Sequence, residues 1–93
     1  MIYNPIGCTF SLDWPVYIEE AQTPLSEMDV KVYVECKRFK KLMSITINES
    51  TISFTFEGKD QKVTGVYDLI LAINEGKTDQ VIYKNKNAFT ITQ

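Results

Sequence analysis

The sequence predicts an all-β fold, an antiparallel sandwich of about seven strands. Three observations carry that expectation. Apolar residues alternate with polar ones through most of the chain, as in Val30, Val32, Val34 and Cys36 against Lys31, Tyr33, Glu35 and Lys37, the mark of strands with one face in a core. Turn residues interrupt these runs at short intervals, and almost no helical periodicity is present. Finally, from Val63 to Ile73 every odd position except Gly65 is large and apolar: Val63, Tyr67, Leu69, Leu71 and Ile73.

That last stretch organises the rest. In Thr64-Gly65-Val66-Tyr67 the glycine lets the backbone turn, and a tyrosine just inside the strand can send its hydroxyl to the chain upstream, as at the tyrosine corner of immunoglobulin domains. Leu69 stands two residues later, where an antibody domain carries its second cysteine. The expectation becomes an immunoglobulin-like sandwich over residues 8–93 without a disulfide, preceded by an N-terminal arm, residues 1–7.

In chain order, the arm has no charged side chain and can dock on a neighbouring subunit or cover the end of its own sandwich. From Cys8 the even positions Phe10, Leu12, Trp14, Val16 and Ile18 are apolar, a long half-buried strand or two strands split at Pro15, which cannot donate to a ladder. Residues 19–28 read as a loop with one helical turn near Pro24. A strand follows at Val30–Cys36, then a basic turn at Lys37–Lys41, then a strand carrying Met43, Ile45 and Ile47. Asn48–Thr51 is a turn, and Ile52, Phe54 and Phe56 give the next strand. After the Tyr67 strand, Asn74–Lys77 turns the chain back. Val81, Tyr83, Phe89 and Ile91 line the last strand, where Asn85 and Asn87 on the core side predict a bulge near 84–87.

Ninety-three residues are one domain. No run approaches the ~20 apolar residues of a membrane helix, and the N-terminus lacks the basic lead and apolar run of a signal peptide, so synthesis and residence in a cytoplasm are expected. Cys8 and Cys36 share parity with apolar neighbours and read as small core residues with free thiols; a bridge between them stays open if their strands pair. The chain has no histidine, which removes the commonest general base and metal ligand. No C-x-x-C pair, glycine-rich phosphate loop or spaced aspartate run occurs. No catalytic, cofactor or metal residue is expected. A net charge of −2 recommends no nucleic acid. Residues 1–30 hold five acids and no Lys or Arg, whereas residues 31–93 hold all ten basic residues, an asymmetry suited to contact between copies or with a larger assembly.

The candidate contacts are therefore protein contacts. Lys37, Arg38, Lys40 and Lys41 around Phe39 can meet an acidic surface, with Phe39 as an apolar anchor, or simply keep a turn soluble. Val66, Ile70 and Ala72 point away from the core, as do Tyr33 and Ile82; aligned across one sheet they form an apolar patch. Ile2 and Tyr3 add the arm. Gly65 and Tyr67 are structural. Trp14 has core parity; as a glycan platform it would need exposure and a second aromatic beside it.

The runs Gly58-Lys59-Asp60-Gln61-Lys62, Gly65-Val66-Tyr67-Asp68-Leu69, Asn74-Glu75-Gly76-Lys77 and Ala88-Phe89-Thr90-Ile91 together resemble small Ig-like domains in virion proteins of tailed phages of Bacteroidetes, including crAss-like phages. The resemblance spans roughly residues 29–92. It implies a non-enzymatic virion structural protein, made in the bacterial host cytoplasm. Its expected partners are the major capsid protein, other virion proteins or neighbouring copies. An auxiliary or decoration protein on the capsid surface is the leading role. The alternatives are an attachment domain of a head or tail fibre, or a carbohydrate-binding module for host or mucus glycans.

Overall fold

In the computed structural model, residues 2–16 and 28–93 are described. They form eight strands: β1 (Ile2–Pro5), β2 (Phe10–Pro15), β3 (Val30–Cys36), β4 (Phe39–Met43), β5 (Ile45–Asn48), β6 (Thr51–Phe56), β7 (Gly65–Ile73) and β8 (Val81–Thr92), with one 3-10 turn at Gly58–Asp60. The expected loop at residues 19–28 falls almost wholly outside the described residues. A five-stranded sheet runs in the order β1-β8-β7-β3-β4 and a three-stranded sheet in the order β2-β6-β5.

The two sheets share one core. Val32, Val34, Leu69, Leu71, Phe89 and Ile91 enter it from the larger sheet, and Ile52, Phe54 and Phe56 from the smaller. Each alternates with outward residues, as period-two strands require. An aromatic cluster fills one end: Tyr67 and Phe89 stack at 5.0 Å, Phe56 meets both rings edge-on, and Phe10 meets Phe89 at 5.0 Å. Burying each such ring contributes roughly 1.5–3 kcal/mol. The corner forms as expected, with the Tyr67 hydroxyl donating to the Val63 carbonyl at 2.6 Å. Gly65 has φ +136° there, and a Cβ on it would meet Cys36 Sγ at 3.0 Å.

Several expectations need correction. Eight strands form among the described residues, and the larger sheet is mixed rather than purely antiparallel. The residues expected as an arm include β1, which runs parallel to β8 from Ile2↔Phe89 to Pro5↔Thr92; Pro5, which has no N–H to donate, is tolerated on this edge strand. The supposed single strand through Met43, Ile45 and Ile47 is two strands in different sheets, because the chain crosses at Ser44 between β4 and β5. Val81 and Tyr83 have core-side parity but are 41% and 43% exposed, since the opposing sheet is only three strands wide.

Cys36 is buried, Cys8 is exposed, and both are free thiols. Cys8 departs from its expected core place because it lies in the connection between β1 and β2, where alternation no longer applies. The predicted bulge is present: pairing jumps from Tyr67↔Phe89 to Leu69↔Asn85. Asn87 takes φ 56°, and its N–H donates to Asp68 Oδ1 at 2.9 Å.

Candidate interaction face

Strand parity puts the odd residues of β3 and the even residues of β4, β7 and the first part of β8 on the outside of the larger sheet. Register then aligns them. Leu42 lies opposite Tyr33, Tyr33 opposite Ile70, and Ile70 opposite Lys84. The next row is Lys31, Ala72 and Ile82. The expected patch of Tyr33, Ile70, Ala72 and Ile82 is therefore contiguous, and Leu42 extends it to the sheet edge. Leu42 is 52% and Ile82 53% exposed, while Tyr33 and Ile70 are half-buried and Ala72 is buried. Leu42 was the member the sequence concealed, because it stands directly after a basic run and next to the core residue Met43.

Val66 belongs to a second spot. It pairs with Thr90, which pairs in turn with Tyr3 of β1; Tyr3 is 69% exposed. Ile2 is also exposed, but its partner Phe89 places it on core-side parity.

Between the two apolar spots runs a belt of charge. Lys84 Nζ lies 3.4 Å from Glu35 Oε1 and 3.6 Å from Asp68 Oδ2, and Lys40 Nζ sits 4.6 Å above the Tyr33 ring. Beyond the upper spot, the Tyr33 hydroxyl donates to Glu75 Oε1 at 3.0 Å, and Lys31 approaches the same oxygen at 3.8 Å. The hydrogen bond to Glu75 is the main reason the Tyr33 phenol titrates above its ordinary value; burial and the charges of Glu75 and Asp29 add to it. Tyr33 is thus held by a cation on its face and a carboxylate at its tip. Exposed pairs of this kind contribute about 0–1 kcal/mol each, but they fix the side chains around the apolar surface.

The basic run is dispersed. Cys36 pairs with Phe39, so only Lys37 and Arg38 occupy the hairpin tip, where Lys37 takes φ 57° and its ammonium donates to the Thr64 carbonyl at 3.1 Å. Phe39 packs edge-on against Tyr67 at 6.2 Å, so it serves the core rather than an anchor at the tip. Lys40 faces the outer surface. Lys41, on the opposite parity, reaches a cleft beside the smaller sheet. Alternation along β4 divides what the sequence presents as one cluster.

Trp14 is half-buried and packs against the core. Among the described residues no group of three or more Cys, Asp or Glu is placed to hold a metal ion, and no helix is long and apolar enough to cross a membrane. No protein-family profile, curated protein or solved structure matches this chain.

Proposed function

We propose that this chain is an immunoglobulin-like, non-enzymatic structural protein of a phage particle, acting as an auxiliary or decoration protein that docks on the capsid surface. The observation that carries the docking reading is the outer face of the larger sheet. Solvated sheet faces are normally polar, whereas here Leu42, Tyr33, Ile70, Ala72 and Ile82 meet across four strands. Patches of this kind mark protein contacts. The immunoglobulin-like reading is supported by the Tyr67 corner and by the placement of β7, the corner strand, between β3 and β8. The particle itself enters through the sequence resemblance, and the non-enzymatic reading through the absence of histidine from the sequence.

Docking works in this reading by burying the two apolar spots against the shell, with the Lys84–Glu35–Asp68 belt setting register. Many copies on a repeating lattice raise the apparent affinity of each small module. The test uses particles assembled without this protein. Sedimentation should show a monomeric chain that joins them at high copy number, and Val66→Glu with Ile82→Glu should abolish occupancy while leaving the fold intact. Undiminished occupancy removes this face from the reading. A stable trimer alone, or failure to bind the shell, moves the role to a fibre or tail.

A further inference from the structure

A cleft of 530 Å³ lies on the other side of the molecule, against the smaller sheet. Its floor is built from outward residues of β2, β5 and β6 in two cross-strand rows. One row is Asp13, Ser53 and Thr46; the other contains Ser11 and Thr55. Rows two residues apart are separated by roughly 6.5–7 Å and neighbouring strands by about 4.8 Å, so the floor is a mesh of hydroxyls on the scale of a sugar ring. Its wall exists because the chain leaves the larger sheet at Ser44, drawing Lys41, Leu42 and Met43 past the edge of the smaller one; Asp60 of the 3-10 turn and Glu57 just before it close one end.

The polar groups are already oriented. Ser53 Oγ donates to Asp13 Oδ1 at 2.7 Å, a bond that uses neither the serine's acceptor capacity nor the second carboxylate oxygen. Ser11 Oγ and Thr55 Oγ1 lie 2.8 Å apart, so each can still exchange hydrogen bonds with a third group. Ser and Thr on an outward strand face are ordinary; here they form the floor of a half-open cleft. A protein partner would leave many of these hydroxyls unpaired on desolvation. The three carboxylates, Asp13, Glu57 and Asp60, outnumber Lys41 and oppose an anion. An uncharged ligand rich in hydroxyls can pair with the floor hydroxyls and with the carboxylate oxygens alike.

We propose that this cleft binds a neutral saccharide ring, with Asp13, Ser53 and Thr55 making the central hydrogen bonds. No Trp or Tyr lines it, so affinity is weak for one ring and depends on repetition along a polymer. The cleft shares only Leu42 with the docking face on the larger sheet; its hydrogen-bonding floor lies on the smaller sheet, and neither reading needs the other.

The experiment is a titration of the whole isotope-labelled chain with methyl glycosides of glucose, galactose, mannose and N-acetylglucosamine, followed by amide shifts. At least one should give saturable shifts at Ser11, Asp13, Ser53 and Thr55, with a Kd on the order of 1–10 mM. Added sodium chloride should leave that Kd unchanged, since salt screens charge and not neutral hydrogen bonding. Thr55→Val and Asp13→Asn, both at exposed strand positions, should each weaken binding about tenfold, the equivalent of one lost hydrogen bond, with the remaining spectrum unchanged. Non-saturating or scattered shifts for every glycoside, saturable shifts elsewhere on the surface, or an unchanged Kd in both variants would overturn the proposal.

Discussion

Tyr67 and Phe89 lie face to face across β7 and β8, 5.0 Å between ring centroids with 11° between planes, and neither is exposed to solvent. Tyr67 alone of the pair carries a polar end, and that end is bonded to Val63. Replacing it with Phe keeps the stack and leaves the Val63 carbonyl without its partner. Tyr67→Phe should therefore lower unfolding free energy by about 1–2 kcal/mol at neutral pH, read from urea midpoints.

The same residue governs alkaline behaviour. Burial is the main reason its phenol is pushed from 10.0 up to about 12; the negative charge of an ionised Cys36 adds to this, and the bond to Val63 opposes it. In the unfolded chain the proton leaves at the ordinary value, so between pH 10 and about 12 the native state holds more protons than the unfolded one. Stability must fall across that interval as pH rises. Tyr33 pushes the same way, so the share due to Tyr67 is the difference between wild type and Tyr67→Phe. Equal slopes in the two proteins would refute this assignment.

Gln61 clamps the end of the molecule. Its side-chain amide donates to the carbonyls of Cys8 and Phe56 at 2.7 and 3.1 Å and accepts from the Gly7 N–H at 2.9 Å, and the residue is buried. Gln61→Leu removes three hydrogen bonds to the backbone, although Cys8 keeps its bond from Asn4 Nδ2, and should cost roughly 2–4 kcal/mol. Nearby, a Cβ on Gly58 would collide with the Gly7 backbone, so Gly58→Ala should cost roughly 1–3 kcal/mol through the forced displacement. Thermal melts of both variants check these values.

Thiol chemistry separates the two cysteines. Cys8 is exposed and Cys36 buried, and burial raises the Cys36 thiol, with Asp68 adding to this and Lys37 opposing it. A maleimide should label Cys8 in the native protein and reach Cys36 only after denaturant is added. Reductant should leave the melting temperature unchanged. One-step labelling of both sites would contradict the packing described.

How far the sequence discloses this molecule depends on what each pattern can encode. Leu69, Leu71 and Ile73 announce a buried face and take it. The crossing at Ser44 is invisible because odd parity continues through Met43, Ile45 and Ile47, and alternation says which side is buried but not which sheet provides it. Both hairpin connections are legible as turns, but the tightness of the first is not. Two-residue connections favour Gly or Asn at positive φ, whereas Lys37 and Glu49 hold those places at 57° and 55°, and so the expected Lys37–Lys41 turn is only Lys37 and Arg38. Glu49→Gly should accordingly raise stability by about 0.5–1 kcal/mol, the relieved backbone strain exceeding the added chain entropy, as chemical denaturation would show. The cleft was least legible of all, since its floor draws on three strands and its wall on a fourth.

The parallel pairing of β1 with β8 carries a mechanical consequence. Ile2 leads β1 beside Phe89, while Thr92 ends β8 beside Pro5. Tension drawing Ile2 and Thr92 apart runs along the strands, so every hydrogen bond in that ladder is loaded in shear at once rather than opened one by one. The bond from the Ile6 N–H to the Thr92 carbonyl, at 2.7 Å, shares the load. A block strung in series by these two points would hold its shape under pull until the whole short ladder gave way together.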